Sequence, residues 1–272
     1  MSCTTGTNGR LCNQVIRNLA VSIMAEKFNL TVNYSSLDRI TSLGIPLFNG
    51  EKSYESTMTL ADENYFSTYN SESLESNVDP NNSYFQSYDM AVFIYKHLHK
   101  EDVKASIMNA NPFANRYNAN NDIFIHIRLD DVERFNPGLN YYLHAIRDVV
   151  GETTEMDGTM DDERGVSDET DNGSRKIYIS SDGPHHSIVQ DILAKYSNAE
   201  LLNYNEVQTI QFGSTCKHVI LSHGSFSAVI AYLSFFSNVM YPEYEPGKIW
   251  YGDLLSIEVE GWKRCNSHLV NH

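Results

Sequence analysis

Ile123-Phe124-Ile125-His126-Ile127-Arg128-Leu129-Asp130-Asp131 is the stretch whose reading decides the fold. Six residues of alternating large side chains read as a strand, and the strand ends in a cation followed by two carboxylates. Alternation puts Phe124, His126 and Arg128 on one face and Ile123, Ile125 and Ile127 on the other, and both faces are apolar enough to be covered. A helix is predicted from about Gly138 to Val150. Downstream the same alternation recurs: strand Lys176–Ser180, helix His185–Tyr196, strand Glu200–Asn203, and a helical stretch around Glu206–Phe212. Strand His218–Ser222, helix Ser225–Phe235 and a last strand Asn238–Tyr241 complete it. Strands alternating with helices imply a parallel sheet with helices on both faces, whose ligands sit at the carboxyl ends of the strands.

Upstream the pattern is weaker. The stretch Gly9-Arg10-Leu11-Cys12-Asn13-Gln14 turns into an apolar run, Cys12, Val15, Ile16, Leu19, Ala20, Ile23 and Met24, at helical spacing. A strand is expected at Leu30–Tyr34. Residues 36–90 are polar and carry little periodicity. Helices are predicted at Met90–His99 and Glu101–Met108, and the Asn-rich stretch 109–121 reads as a connection between two halves.

The formal charge is −15, which argues against a nucleic-acid or anionic-membrane partner. Nine acidic residues and one basic one, Arg164, fall within 151–174, a segment with four glycines that reads as a solvated loop. No apolar run is long enough for a membrane span and no secretory signal opens the chain, so a soluble, cytoplasmic protein is expected, or a lumenal one whose anchor lies outside this sequence. Cys3, Cys12, Cys216 and Cys265 show no CxxC spacing and read as free thiols. Sequons at Asn29, Asn33, Asn81 and Asn172 point toward a secretory compartment, but Asn-rich chains generate such triplets by chance.

Three polar clusters fall at strand ends. Arg128 offers a planar fork suited to a diphosphate, or it forms a structural ion pair with Asp130 or Asp131. The junction Leu221-Ser222-His223-Gly224-Ser225-Phe226-Ser227-Ala228 supplies free N–H groups at a helix start, with hydroxyls from Ser225 and Ser227; the plain alternative is an N-cap by Ser225. Asp182, in Asp182-Gly183-Pro184, can accept from a nucleobase or cap the helix that follows. No metal is expected: the histidine pairs 97/99, 185/186, 218/223 and 268/272 lack zinc-like partners. A Walker A loop, a GxGxxG fingerprint and a GxSxG elbow are all missing.

In this order and context, Gly9 to Gln14, His126 to Asp131, Gly224 to Ser227 with Ala231-Tyr232-Leu233, and Tyr178 to Pro184 resemble the motifs of the GT-B fucosyltransferase superfamily, especially its α-1,2-type (family 11). The resemblance covers both ends and most of residues 122–241. It implies an α/β fold of two Rossmann-like halves with parallel sheets facing across a cleft. Residues 1–110 would form the acceptor side and 111–272 the GDP-sugar side. It further implies a metal-independent, inverting transfer of a sugar, L-fucose in the leading reading, from a GDP-sugar donor to a glycan acceptor hydroxyl. Arg128 would hold the β-phosphate and His126 would line the same pocket. Gly9, Arg10, Asn13 and Gln14 would reach the cleft from the N-terminal half. Ser225, Phe226 and Ser227 would bind the nucleotide, with Asp182 at the guanine. Asp131 and Glu133 are the nearest candidates for the base, although Asp131 can instead orient Arg128. Cys12, Leu129 and Ala228-Val229 depart from the family pattern, which keeps open a nucleotide-sugar-binding module without catalysis. A protein O-fucosyltransferase using loop 151–174 is the third reading.

Overall fold

The computed structural model describes residues 2–151, 175–243 and 254–266. The acidic loop, apart from Gly151, and the pair His268/His272 lie outside them. The chain is a mixed α/β protein whose strands pair in parallel. Among the described residues no helix is long and apolar enough to cross a membrane.

The N-terminal region begins with β1 (Cys3–Thr4), α1 (Leu11–Phe28), β2 (Val32–Asn33) and α2 (Leu37–Ser42). Next come β3 (Thr57–Thr59), α3 (Tyr65–Tyr69), β4 (Asn77–Asp79), α4 (Tyr88–Leu98) and α5 (Glu101–Ala110). Parallel strands are present here as expected, but as two short pairs, β1–β2 and β3–β4, in place of one broad sheet. The reason is compositional: residues 36–90 contain no run of apolar residues long enough to be buried on two faces.

Helix α1 carries this region. The sequence pattern marks one apolar face, whereas the structure buries the helix nearly all round, including Arg17, Asn18 and Ser22. Arg17 is fully buried because its guanidinium is matched by carbonyls: it donates to Thr5 O at 3.2 and 3.0 Å, to Asn81 O at 2.9 Å, and to Ser83 O. Burying such a charge without these acceptors would cost several kcal/mol.

The C-terminal region follows the alternation read from sequence, with boundaries shifted by a few residues. It contains β5 (Ile123–Ile127), α6 (Leu139–Val150), β6 (Ile177–Ser181), α7 (Ser187–Lys195), β7 (Ala199–Leu201) and α8 (Glu206–Gly213). It continues with β8 (His218–Leu221), α9 (Gly224–Leu233) and β9 (Asn238–Glu243). One strand goes beyond the expectation: β10 (Trp262–Asn266) adds to the edge, and its polar Lys263 and Arg264 hid it from hydropathy. Strand order is β10-β9-β8-β5-β6-β7, every pair parallel.

The two faces of β5 enter different cores, as the alternation requires. Ile123, Ile125 and Ile127 pack with Tyr142 and Ile146 of α6 and Val189 and Ile192 of α7. Phe124 joins Ile210 and Phe212 of α8, Val229 and Tyr232 of α9, and Leu19 and Ala20 of α1. Helix α1 lies against α9, so this second core continues from the sheet into the N-terminal region.

Candidate functional site

In chain order the strands of the large sheet run outward in both directions from β5: β6 and β7 lie on one side, β8, β9 and β10 on the other. The crossovers diverge at the β5–β8 boundary. Such a switch point leaves a crevice at the carboxyl ends of the strands, where ligands of doubly wound sheets bind. A cavity of about 470 Å3 lies there. Arg128 enters it from just beyond β5, Ser180 to Asp182 from the end of β6, and His223 to Phe226 from the β8–α9 junction. Gly9, Arg10, Cys12 and Asn13 close it from the start of α1. Residues more than a hundred positions apart therefore form one wall.

Two helices point their N-termini into this cavity. In α9 the cap position is His223, with no side-chain cap bond, and the first turn carries no acid. The alternative of a plain N-cap by Ser225 is not formed, because the helix starts at Gly224 and Ser225 is already its second residue. Gly224 has φ +88°, and a Cβ there would meet no atom within 4 Å, so the backbone faces open space. Helix α1 is the same: Arg10 stands at its cap without a side-chain cap bond, and no acid lies in its first turn. Each terminus presents roughly half a positive charge and unmatched N–H groups, an anion site by construction.

The loop before α1 is stiffly held. Gln14 Nε2 donates to Gly9 O at 2.8 Å and Thr7 O at 3.2 Å, and its Oε1 accepts from Ser36. Gly9 has φ +84°, and a Cβ there would lie 2.6 Å from that of Asn13, so only glycine fits. Gln14 thus braces the turn and is not part of the wall. Asn13 is in the wall, accepting from Gln86 Nε2 at 2.9 Å.

Arg128 meets Asp182 at 2.7 Å through Nη1 and Asp131 through Nη2, and its backbone N–H donates to Ser222 Oγ at 3.1 Å. The structural ion pair is therefore formed, with Asp131 and Asp182 as partners; Asp130 pairs with Arg10 instead, at 3.2 Å. Arg10 also lies 3.7 Å from Asp131, so Asp131 bridges the two arginines. Asp182 does not cap α7, whose cap is His186, accepting from Ile188 N at 3.2 Å. Its second oxygen takes Leu129 N–H at 2.7 Å, so both oxygens fix the chain around Arg128. Glu133 stands outside the wall, paired with His186 at 2.9 Å.

His126 is buried and hydrogen-bonded through Nδ1 to Ser227 Oγ at 2.7 Å, with the Phe226 ring centroid 4.9 Å from its own. Ser227 is buried behind the wall and bonds the histidine, not the cavity. Burial, with Arg128 and His223 nearby, pushes the His126 imidazole down to about 3. Burial and Arg128 push His223 down to about 4. Both are neutral at neutral pH, so fixed positive charge here belongs to Arg10, Arg128 and the helix ends. Cys12, buried in the wall, has its thiol pushed far above the ordinary range by desolvation and is inert as a nucleophile. Among the described residues no three His, Cys, Asp or Glu side chains gather as a metal site.

Sequence reading did not single out Gln86, Tyr204, Glu206 or Thr209, which also line the cavity. The last three follow β7, and extending the strand-end rule to that strand would have found them. Gln86 lies in the stretch without periodicity and had no local signal.

No family model matches the chain, and no curated protein matches it. Among solved structures it is similar to a NodZ alpha-1,6-fucosyltransferase soaked with GDP-fucose, with a TM-score of 0.34 and 12% identity over 60% of this chain and 53% of that one. The same enzyme co-crystallised with GDP gives 0.35 and 12% over 62% and 54%. This chain spans about half the length of those structures. An overlap of that size decides neither a shared fold nor a shared activity.

Proposed function

We propose that the chain is a glycosyltransferase that binds a GDP-sugar, GDP-fucose in the leading reading, and moves the sugar to a glycan hydroxyl. One observation carries the nucleotide diphosphate: two uncapped helix N-termini and two arginines converge on one cavity at the switch point of the sheet. Its volume is within the range that encloses small-molecule ligands. Choice of guanine and of fucose rests on the sequence resemblance.

Arg128 is the diphosphate holder. Its bond to Asp182 keeps the fork oriented, while its bond to Asp131 is to a carboxylate more than half exposed. Exposed pairs contribute about 0–1 kcal/mol, so a diphosphate can displace Asp131 from both arginines at small cost. In the transfer, the bond from the anomeric carbon to the diphosphate oxygen breaks and its electron pair leaves with the diphosphate. A new bond forms from the acceptor oxygen on the opposite face, inverting the centre, and the hydroxyl proton passes to solvent. Charge grows on the departing diphosphate, and Arg10, Arg128 and the N-termini of α1 and α9 meet it without a metal. Asp131 is read as the residue that orients the arginines before the donor arrives, and not as the base. Glu133, held by His186 outside the wall, is set aside as well.

Calorimetric titration of GDP, UDP and GDP-fucose with a chelator present tests this reading. GDP species should bind and UDP should bind more weakly or not at all, with slow donor hydrolysis by the purified protein. Absence of binding by all three would overturn the reading; GDP binding with neither hydrolysis nor transfer to any glycan would leave the catalytically silent binding module in its place.

A further inference from the structure

A second cavity, of about 570 Å3, opens beside the first and shares Gln86 with it. Thr59, Asp62, Glu63, Asn82, Ser83 and Tyr84 give its character: hydroxyls, amides, carboxylates and one aromatic ring, with no aliphatic wall. The junction is tied on both sides. Asn8, next to Gly9 of the first cavity, donates to Asn81 O at 3.0 Å and Asn82 Oδ1 at 3.2 Å in the second. The loop 81–84 is held from beneath by the buried Arg17, which donates to Asn81 O and Ser83 O and lies 5.7 Å from the Tyr84 ring centroid. The cavity is thus built on a fixed frame.

Two acceptor atoms in its wall are left unmatched. Asp62 accepts Phe85 N–H at 3.2 Å through Oδ2, while its Oδ1 is buried without a hydrogen-bond partner. Gln86 uses its Nε2 on Asn13, and its Oε1 is likewise buried and unpartnered. Each such oxygen carries a desolvation cost that a donor in the cavity would remove after a small turn of the group. Both lack hydroxyl donors and neither is served by an anion.

We propose that this cavity is the acceptor subsite, and that it takes a neutral glycan whose hydroxyls donate to Asp62 and Gln86 while the Tyr84 ring packs against a sugar face. The acceptor role rests on the donor reading above. Carboxylates at positions 62 and 63 repel sialylated or uronic sugars, which restricts the class to neutral chains. Burial and the neighbouring Glu63 raise the Asp62 carboxyl above its ordinary value, which strengthens it as a hydroxyl acceptor.

The test is retention on an array of neutral and acidic glycans with GDP present, alongside calorimetry with GDP alone. Wild type should retain neutral glycans and not acidic ones. Asp62→Asn, which still accepts from Phe85, should weaken retention about tenfold or more, the scale of losing a hydrogen bond to a charged group. Thr59→Trp fills the cavity from an exposed position and should abolish retention; neither variant should change GDP affinity. GDP binding with no neutral glycan retained, or retention unchanged in both variants, overturns the subsite alone. Failure of wild type to bind GDP overturns the donor reading and the acceptor role with it.

Discussion

Strand β5 buries five consecutive residues, whereas none of the described strands before residue 120 exceeds three residues. The sheet region is held by apolar side chains on both faces of a parallel sheet. The region before it shares an apolar core with α1, including Leu60, Tyr65, Val78 and Phe85, but its short strands and turns are fastened by polar side chains that cap backbone groups: Arg17 on three carbonyls, Asn77 on Tyr54 from both its amide atoms, and Asn64 on Ala61 and Thr59. Hydrophobic burial tolerates small changes because it scales with area, while a buried polar network fails when one member is lost. The candidate donor cavity lies where these two kinds of structure meet.

Breaking the network should have the largest effect. Arg17→Met strips the donor from the buried Thr5 carbonyl and from the part-buried bonds to Asn81 and Ser83, and should lower stability by about 3 kcal/mol or more, read from denaturant unfolding. A loss below about 1 kcal/mol would erase the contrast between the regions. Next in size is Arg128→Ala, expected to reduce GDP affinity about a hundredfold, which corresponds to about 2–3 kcal/mol for charge-assisted bonds. Unchanged affinity would remove Arg128 from the diphosphate site.

Acid should then loosen the sheet region. His126, His218 and His223 are pushed down to about 3, 4 and 4 by burial and nearby cations, against 6.5 when unfolded. Between those values the unfolded chain binds more protons, so the stabilisation is complete above pH 6.5 and shrinks as pH falls toward the folded values. On this sign, Tm should drop from pH 7 to pH 5, with His126 alone contributing on the order of 1–2 kcal/mol. His126→Asn should flatten part of that slope, and a Tm that holds steady to pH 5 would contradict it. Smallest is Ile125→Val in the middle of β5, expected to cost about 1 kcal/mol with GDP binding intact. A larger loss than that of Arg17→Met would reverse the comparison.

Legibility followed the same division. Ile123, Ile125 and Ile127 against Phe124 and His126 could be assigned to faces from alternation alone, and Arg128, Asp182 and Ser225 stand at the strand ends where the rule puts them. What their side chains do there was not readable. Asp182 holds Arg128 and Leu129, Gln14 braces a turn, and Ser227 bonds His126 from behind the wall. Residues 54–87, with Asp62, Tyr84 and Gln86, carried no periodic signal because their elements, β3, α3 and β4, are three to five residues long and are joined by turns fixed by individual hydrogen bonds.

The order of residues by itself determined the parallel sheet, its two covered faces and the placing of polar clusters at its carboxyl edge. Those follow from alternation and helical spacing, which are properties of near neighbours along the chain. Only the tertiary structure decided that Arg10 would stand across from Asp130 and Asp131, that α1 would be buried nearly all round, and that Gln86 would join two cavities. Each of these depends on groups dozens to more than a hundred residues apart, and a local pattern cannot encode a pairing chosen by how two surfaces meet.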